Sequence, residues 1–239
     1  MRKRNAGVLV MLAGWWALVG CAAFAVDNQL TPQEKKDGWI LLFDGKSTKD
    51  WMTSTWQACP EALDDGAINP DKCPNLGPSG WDLVYERPWA DFILALDFKI
   101  SPKTNSGVMA RIWPLKALPG YDVEYNGLEV QIEDSQTAGY YDTGAIYDLV
   151  KPVKNAMKPA GQWNHLQLKC DKHLIDVWLN GEQVNHMDLD QWTRPYERPD
   201  GTSHKFNIAW KYHSRTGYIG LQKHGGNCWF KNIKLKPLD

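Results

Sequence analysis

Apolar and polar residues alternate along most of the chain beyond its first 40 or so positions. In GLEVQIE (127–133), Leu128, Val130 and Ile132 fall on one side, and Glu129, Gln131 and Glu133 on the other. That period of two is the mark of a half-buried strand. WILLF (39–43), WDLVYE (81–86), DFILALDFKI (91–100), SGVMARIW (106–113) and GAIYDLV (144–150) are predicted strands. So are WNHLQLKC (163–170), HLIDVWLN (173–180), EQVNHMDL (182–189), KFNIAW (205–210), GYIGLQKH (217–224) and CWFKNIKLK (228–236). Gly, Pro, Asp and Asn separate them, and Asn180-Gly181 has the residues of a tight hairpin turn. No segment carries the helical period long enough for the crossovers that parallel strands require. The pattern therefore predicts an all-β fold, a two-sheet antiparallel sandwich over 39–239 forming a single domain. A polar lead-in covers 26–38, with one helical turn expected at Pro32 to Lys36, and 44–80 reads as a long decorated loop that covers a site or is stapled.

The first 25 residues break this pattern. MRKRN is basic, and AGVLVMLAGWWALVG is an uncharged apolar run of export-signal length, short for a membrane span. Two endings compete. Ala23-Phe24-Ala25 suits ordinary signal cleavage and a soluble product. Leu18-Val19-Gly20-Cys21 resembles a bacterial lipobox, making Cys21 the lipidation candidate and tethering the protein to a membrane. Either ending implies export, to the periplasm or as a lipid-anchored protein of a bacterial cell envelope.

Export gives meaning to the cysteines. Beyond Cys21 there are four, which allow three complete pairings. Cys59 and Cys73 bracket a loop-like stretch and are the disulfide candidate, while the absence of a CxxC pair argues against structural zinc. Charge excludes a partner class: 27 Lys and Arg against 28 Asp and Glu leave no basic excess for nucleic acid.

Candidate chemistry centres on the polar side of GLEVQIE. Glu129 and Glu133 share a face but sit roughly 13 Å apart along an ideal strand, beyond the roughly 5 to 9 Å of paired glycosidase carboxylates. Arg111 ends a neighbouring predicted strand and offers a planar donor fork for a substrate oxygen or for Glu129. His224, between a strand and Gly225-Gly226, is a candidate general base. Asp134 borders the same polar run, and Lys211 with His213 forms a second polar patch. Serine-hydrolase and phosphate-loop motifs are absent.

The ordered segments GWILLFDGKSTKDW, FKISPKTNSGVMAR, GLEVQIED, TGAIYDLVKPVKNAMKPAGQWNHLQLKC, DVWLNGEQV and GYIGLQKHGGNCWFKNIKLKPL, spanning Trp39 to Leu238, resemble the bacterial 3-keto-disaccharide or 3-keto-glucoside hydrolases. The resemblance implies a concanavalin A-like jelly roll with a concave sugar-binding face. It implies an oxidised sugar or oligosaccharide as substrate, cleaved by proton abstraction at C2, elimination at C1 and hydration. Around such a pocket, His224 or Glu129 would move the C2 proton and Arg111 would support the enediolate. Gln131 would orient a hydroxyl, with Asp134, Lys211 and His213 as further substrate-binding candidates. A divalent cation such as Ca²⁺ could assist or replace Arg111. A noncatalytic carbohydrate-binding module and a conventional glycoside hydrolase remain the alternatives.

Overall fold

The computed structural model describes residues 26–74, 76, 82–116 and 126–238. Residues 1–25, and with them Cys21 and the two competing cleavage patterns, lie outside the described residues. A helical turn, α1 (Pro32–Lys36), forms where expected, capped by the Thr31 side chain on the Glu34 amide and closed by the reciprocal Glu34 bond to the Thr31 amide.

Thirteen strands follow among the described residues. They are β1 (Ile40–Leu41), β2 (Trp51–Thr53), β3 (Leu63–Asp64), β4 (Ala67–Ile68), β5 (Asp82–Tyr85), β6 (Phe92–Ile100) and β7 (Asn105–Ile112), then β8 (Leu128–Glu133), β9 (Asn164–Asp171), β10 (Leu174–Leu179), β11 (Glu182–Asp188), β12 (Tyr218–Gln222) and β13 (Cys228–Pro237). They form two antiparallel sheets in a sandwich, the arrangement of jelly-roll and lectin-like folds. One sheet runs β11-β10-β9-β6-β13-β4-β3, with β1 also paired to β13; the other runs β2-β5-β12-β7-β8. Leu94, Leu96 and Phe98 from the first sheet and Val108, Val130 and Ile132 from the second belong to one buried cluster. Alternation thus does what it predicts: even-numbered positions of β6, β8 and β9 turn inward, and their odd-numbered neighbours face away from the core.

Three expectations need correction. The 44–80 stretch is not simply loop, since β2, β3 and β4 lie in it, and the Cys59–Cys73 disulfide closes part of it with Cα atoms 5.8 Å apart. Cys170 and Cys228 are free and buried. GAIYDLV is a turn: Gly144 and Asp148 take positive φ, and Ile146 bridges singly to Val130 and Val150. KFNIAW forms no strand either. Its apolar residues Phe206 and Trp210 are buried with their rings edge to face, centroids 5.4 Å apart, and a short 3-10 turn begins at Trp210. In both segments, local apolar alternation reflects side chains that anchor loops to the core. The Asn180-Gly181 turn forms as expected, with φ of 53° and 85°.

Candidate active site

β7, β8 and β12 lie side by side in the five-stranded sheet. With Val130 and Ile132 committed to the core, Glu129 and Gln131 must project from the opposite face. That face is a lined concavity of about 240 Å³, formed by Asn105, Glu129, Gln131, Tyr147, Lys205, Gln222 and His224. Loops cover it, so Glu129 and Gln131 are buried at 8% and 1% exposure although they face away from the core.

Local backbone chemistry makes the room. Gly107 lies opposite Gln131 in the β7–β8 ladder, and a Cβ there would sit 2.5 Å from Glu129 Oε1. Asn105 holds the other end, its side-chain oxygen accepting from Gln131 Nε2 at 3.2 Å. Gln131 Oε1 is buried with no hydrogen-bond partner among the described residues. An unpaired buried carbonyl is costly, and a ligand hydroxyl would satisfy it.

His224 stands at the exposed rim. The turn after it presses on β7: the Asn105 amide donates to Gly225 O at 2.8 Å, and a Cβ on Gly226 would lie 2.4 Å from Thr104 Oγ1. Lys223 Nζ donates to Cys73 O at 2.7 Å, so the disulfide-closed segment buttresses the same rim.

Tyr147 and Lys205 arrive from the two segments that are not strands. The Tyr147 amide donates to Glu129 O at 2.9 Å, and Lys205 Nζ lies 4.1 Å from the Tyr147 ring centroid. Burial pushes the Tyr147 phenol above its ordinary value, the Lys205 charge opposing and the Glu129 charge reinforcing. Tyr147 is therefore a neutral O–H donor at physiological pH. Asp148 ties both segments together. Its Oδ1 accepts from Arg198 Nη2 at 2.8 Å and from the Tyr141 hydroxyl at 3.1 Å, and its Oδ2 accepts from the Lys205 amide at 2.8 Å.

Of the residues expected from sequence, Glu129, Gln131 and His224 share this pocket. Arg111 does not. It is fully buried and donates to Ala90 O, Lys172 O and Asp91 Oδ1 at 3.2, 2.8 and 2.9 Å. The physical reason is a bulge. Met109 pairs with Gly220 and Ile112 with Tyr218, leaving two β7 residues opposite one of β12, and Arg111 adopts φ of 54°. Strict alternation would put Arg111 on the face of Met109; the inserted residue turns it away. Asp134 accepts from the Lys103 amide at 2.8 Å. His213 sits between Asn126 O and Ser214 O, and burial pushes its ring below the usual value. Lys211 is exposed, with its carbonyl held by Arg215. None of these three lines the pocket. Glu133 does not line it either, and burial, then Asp134 and Asp142, raise its carboxyl.

Sequence reasoning missed Asn105, Tyr147, Lys205 and Gln222. Asn105 and Gln222 had a signal, since each continues the outward register of Gly107 or Gly220. Tyr147 and Lys205 had none, because no strand carries them.

A calcium site does not fit here. Ca²⁺ takes about six to eight oxygen ligands, carboxylates prominent among them, whereas the described lining has one carboxylate, its other oxygens are the neutral ones of Asn105, Gln131, Gln222 and Tyr147, and it includes the Lys205 ammonium. His173, Asp188 and Asp190 each bring a donor within 4.8 Å of the others, but on the other sheet, where both Asp188 oxygens already accept from Asp190 N and Gln191 Nε2.

Comparison with known proteins places the chain in a family. A family model described as a 3-keto-alpha-glucoside-1,2-lyase-like domain matches residues 38–236. A 3-keto-disaccharide hydrolase of Bacteroides thetaiotaomicron is 28% identical over 233 residues, covering 85% of this chain and 79% of that protein. A Parabacteroides distasonis crystal structure provisionally assigned as a glycosyl hydrolase superimposes with a TM-score of 0.75 at 24% identity, covering 90% of this chain and all of that one. A second from the same organism, likewise provisionally assigned, gives 0.66 at 29% identity, covering 84% and 99%. The chain belongs to the 3-keto-alpha-glucoside-1,2-lyase-like family.

Proposed function

We propose that the protein hydrolyses 3-keto-glycosides by elimination and hydration, with the Glu129 pocket as its active site. The observation that carries this reading is that, among the described residues, Glu129 is the one carboxylate on the floor of a pocket also lined by Lys205, Tyr147 and His224. A displacement mechanism needs two carboxylates across the scissile bond, and among the described residues this lining has one. Elimination needs one base, a positive or hydrogen-bonding group for the enediolate, and a donor for the leaving oxygen.

In the proposed sequence, a ketone at C3 acidifies the C2 proton, and Glu129 removes it. The electron pair forms the C2=C3 enediolate, whose oxygen faces Lys205, the cation that takes the part expected of Arg111. Collapse of the enediolate restores the ketone, forms C1=C2 and expels the C1 substituent, whose oxygen takes a proton from His224 at the rim. Water then adds across C1=C2, hydroxyl to C1 and proton to C2, so the net change is hydrolysis. Gln131 Oε1 accepts from a sugar hydroxyl, and the Tyr147 phenol donates to a ring oxygen substituent. The two family descriptions, lyase and hydrolase, correspond to elimination alone and elimination followed by hydration.

The test is a matched pair, p-nitrophenyl glucoside and its 3-keto derivative, offered to the same preparation. Cleavage confined to the oxidised member, abolished by Glu129→Gln in a folded protein, is expected. Equal cleavage of both, or binding without turnover, overturns the proposal. Export belongs to the same reading, with cleavage after Ala25 and lipidation at Cys21 as its two routes: palmitate labelling of the full chain that is lost in its Cys21→Ser variant selects the tether, and an unlabelled chain selects the soluble product.

A further inference from the structure

A concavity of about 480 Å³ lies on the outer face of the other sheet, lined by Asp27, Asn28, Asp64, Asp65, Lys99, Trp163, Trp229 and Lys231 among others. Nothing in the proposed chemistry uses it. Its floor is built by strand register. Trp229 of β13 pairs with Lys99 of β6, and Trp163 immediately precedes β9, the strand on the other side of β6. Lys99 and Trp229 alternate with the buried Phe98, Ile100, Cys228 and Phe230, so both face away from the core, and Trp163 continues the outward positions of β9 by one residue. Lys99 Nζ consequently lies 5.0 Å from the Trp163 ring centroid and 4.8 Å from that of Trp229. The rings are held: Trp229 Nε1 donates to Asp64 Oδ2 at 2.6 Å, and Lys231 Nζ sits 4.4 Å from the Trp163 centroid.

The charges indicate what such a cleft accepts. Lys231 pairs with Asp27 at 2.6 Å and Lys72 with Asp64 at 2.8 Å, and hydrogen bonds from these lysines hold both carboxyls below their ordinary values. With Lys99 and Asp65 added, three ammoniums offset three carboxylates. A charged ligand would have to break these pairs, whereas hydroxyl groups can donate to the carboxylates and accept from the ammoniums while leaving them intact. Two indoles flanking an ammonium supply apolar walls on either side of a donor. A pyranose ring presents the complementary surface, C–H faces edged by hydroxyls.

We propose that this cleft is a second sugar-binding site, for a neutral glycan unit, on the face of the sandwich opposite the Glu129 pocket. It would hold a polymeric or surface-attached glycan without competing with a substrate at Glu129. The site stands independently of the chemistry proposed above, because its ligand need not be oxidised.

The test uses the full chain carrying Glu129→Gln, titrated by calorimetry and tryptophan fluorescence with maltotetraose, cellotetraose and trigalacturonate. Binding of a neutral tetrasaccharide is expected, weakened at least tenfold by Trp229→Ala or Trp163→Ala and by Lys99→Met, which keeps the volume and removes the donor. Trp229→Ala in the otherwise unaltered protein should leave turnover of a small 3-keto-glucoside within twofold, so failure at either site is read separately. No binding of either neutral tetrasaccharide, tighter binding of trigalacturonate, or binding unaffected by the folded Lys99→Met variant overturns the proposal.

Discussion

Gly107→Ala is the sharpest perturbation of the pocket because it adds one carbon beside the proposed base. The new Cβ would lie 2.5, 2.8 and 3.0 Å from Glu129 Oε1, Cγ and Cδ, with no backbone atom among its nearest contacts. Ordinary non-bonded contact is about 3.5 Å, so the carboxylate must move by roughly 1 Å. A misplacement of that size costs about 10²-fold in rate, equivalent to about 2.7 kcal/mol of barrier. Stability should barely change. Gly107 has no positive φ, so alanine fits its backbone and gains about 0.4–1 kcal/mol by restricting the unfolded chain. That gain offsets the lower end of an overpacking cost of about 1–3 kcal/mol. The assay is kcat/KM on a 3-keto-p-nitrophenyl glucoside beside a thermal melt. Unchanged kcat/KM in a folded variant would refute the placement of Glu129 as base. Adding Gly107→Ala to Glu129→Gln should produce no further loss, since both act through one group.

Other consequences follow from the same contacts. Arg111→Met should lower the melting temperature sharply, because Asp91 and two carbonyls lose their buried donor, by about 3–5 kcal/mol; a stable but inactive variant would restore Arg111 to the mechanism. Asp148→Asn weakens the buried pair with Arg198 and disturbs the Lys205 anchor, so kcat should fall more than tenfold while Lys205→Arg retains more activity than Lys205→Met; equal activity of the two Lys205 variants would exclude a charge role. Burial raises the Asp71 carboxyl from 3.8 to about 6, with Lys223 opposing. A folded value above the unfolded one costs stability as pH rises between the two, so Asp71→Asn should raise the melting temperature more at about pH 8 than at about pH 4; an equal gain at both would show that the charge is not penalised. Reducing Cys59–Cys73, which spans 14 residues, should cost about 3 kcal/mol and loosen the rim at His224 through the Lys223–Cys73 contact. A reduced protein with unaltered stability and kcat/KM would show the staple to be dispensable.

The sandwich was legible because its strands bury one face each, so Leu128, Val130 and Ile132 had to be core and Glu129 and Gln131 had to face away. Legibility ended where the backbone departs from that period. One extra residue at the β7 bulge reverses Arg111, and a residue-by-residue alternation carries no trace of it. Tyr147 and Lys205 depend on Asp148 bringing residues 148 and 205 together across 57 positions, a contact that no local pattern encodes. The 44–80 stretch concealed its short strands for a related reason: two- and three-residue pairings are too brief to show a period. The Cys59–Cys73 link was readable from spacing because short separation and a Gly/Pro-rich interval favour closure.

The most direct test of the central claim is solvent exchange at C2. A 3-keto-glucoside cleaved in D₂O, with the product trapped before it exchanges on its own, should carry deuterium at C2 and a C1 hydroxyl from solvent, because hydration delivers a solvent proton to the carbon that Glu129 deprotonated. Product that retains its original C2 proton, released at an undiminished rate, would contradict elimination and return the pocket to displacement chemistry.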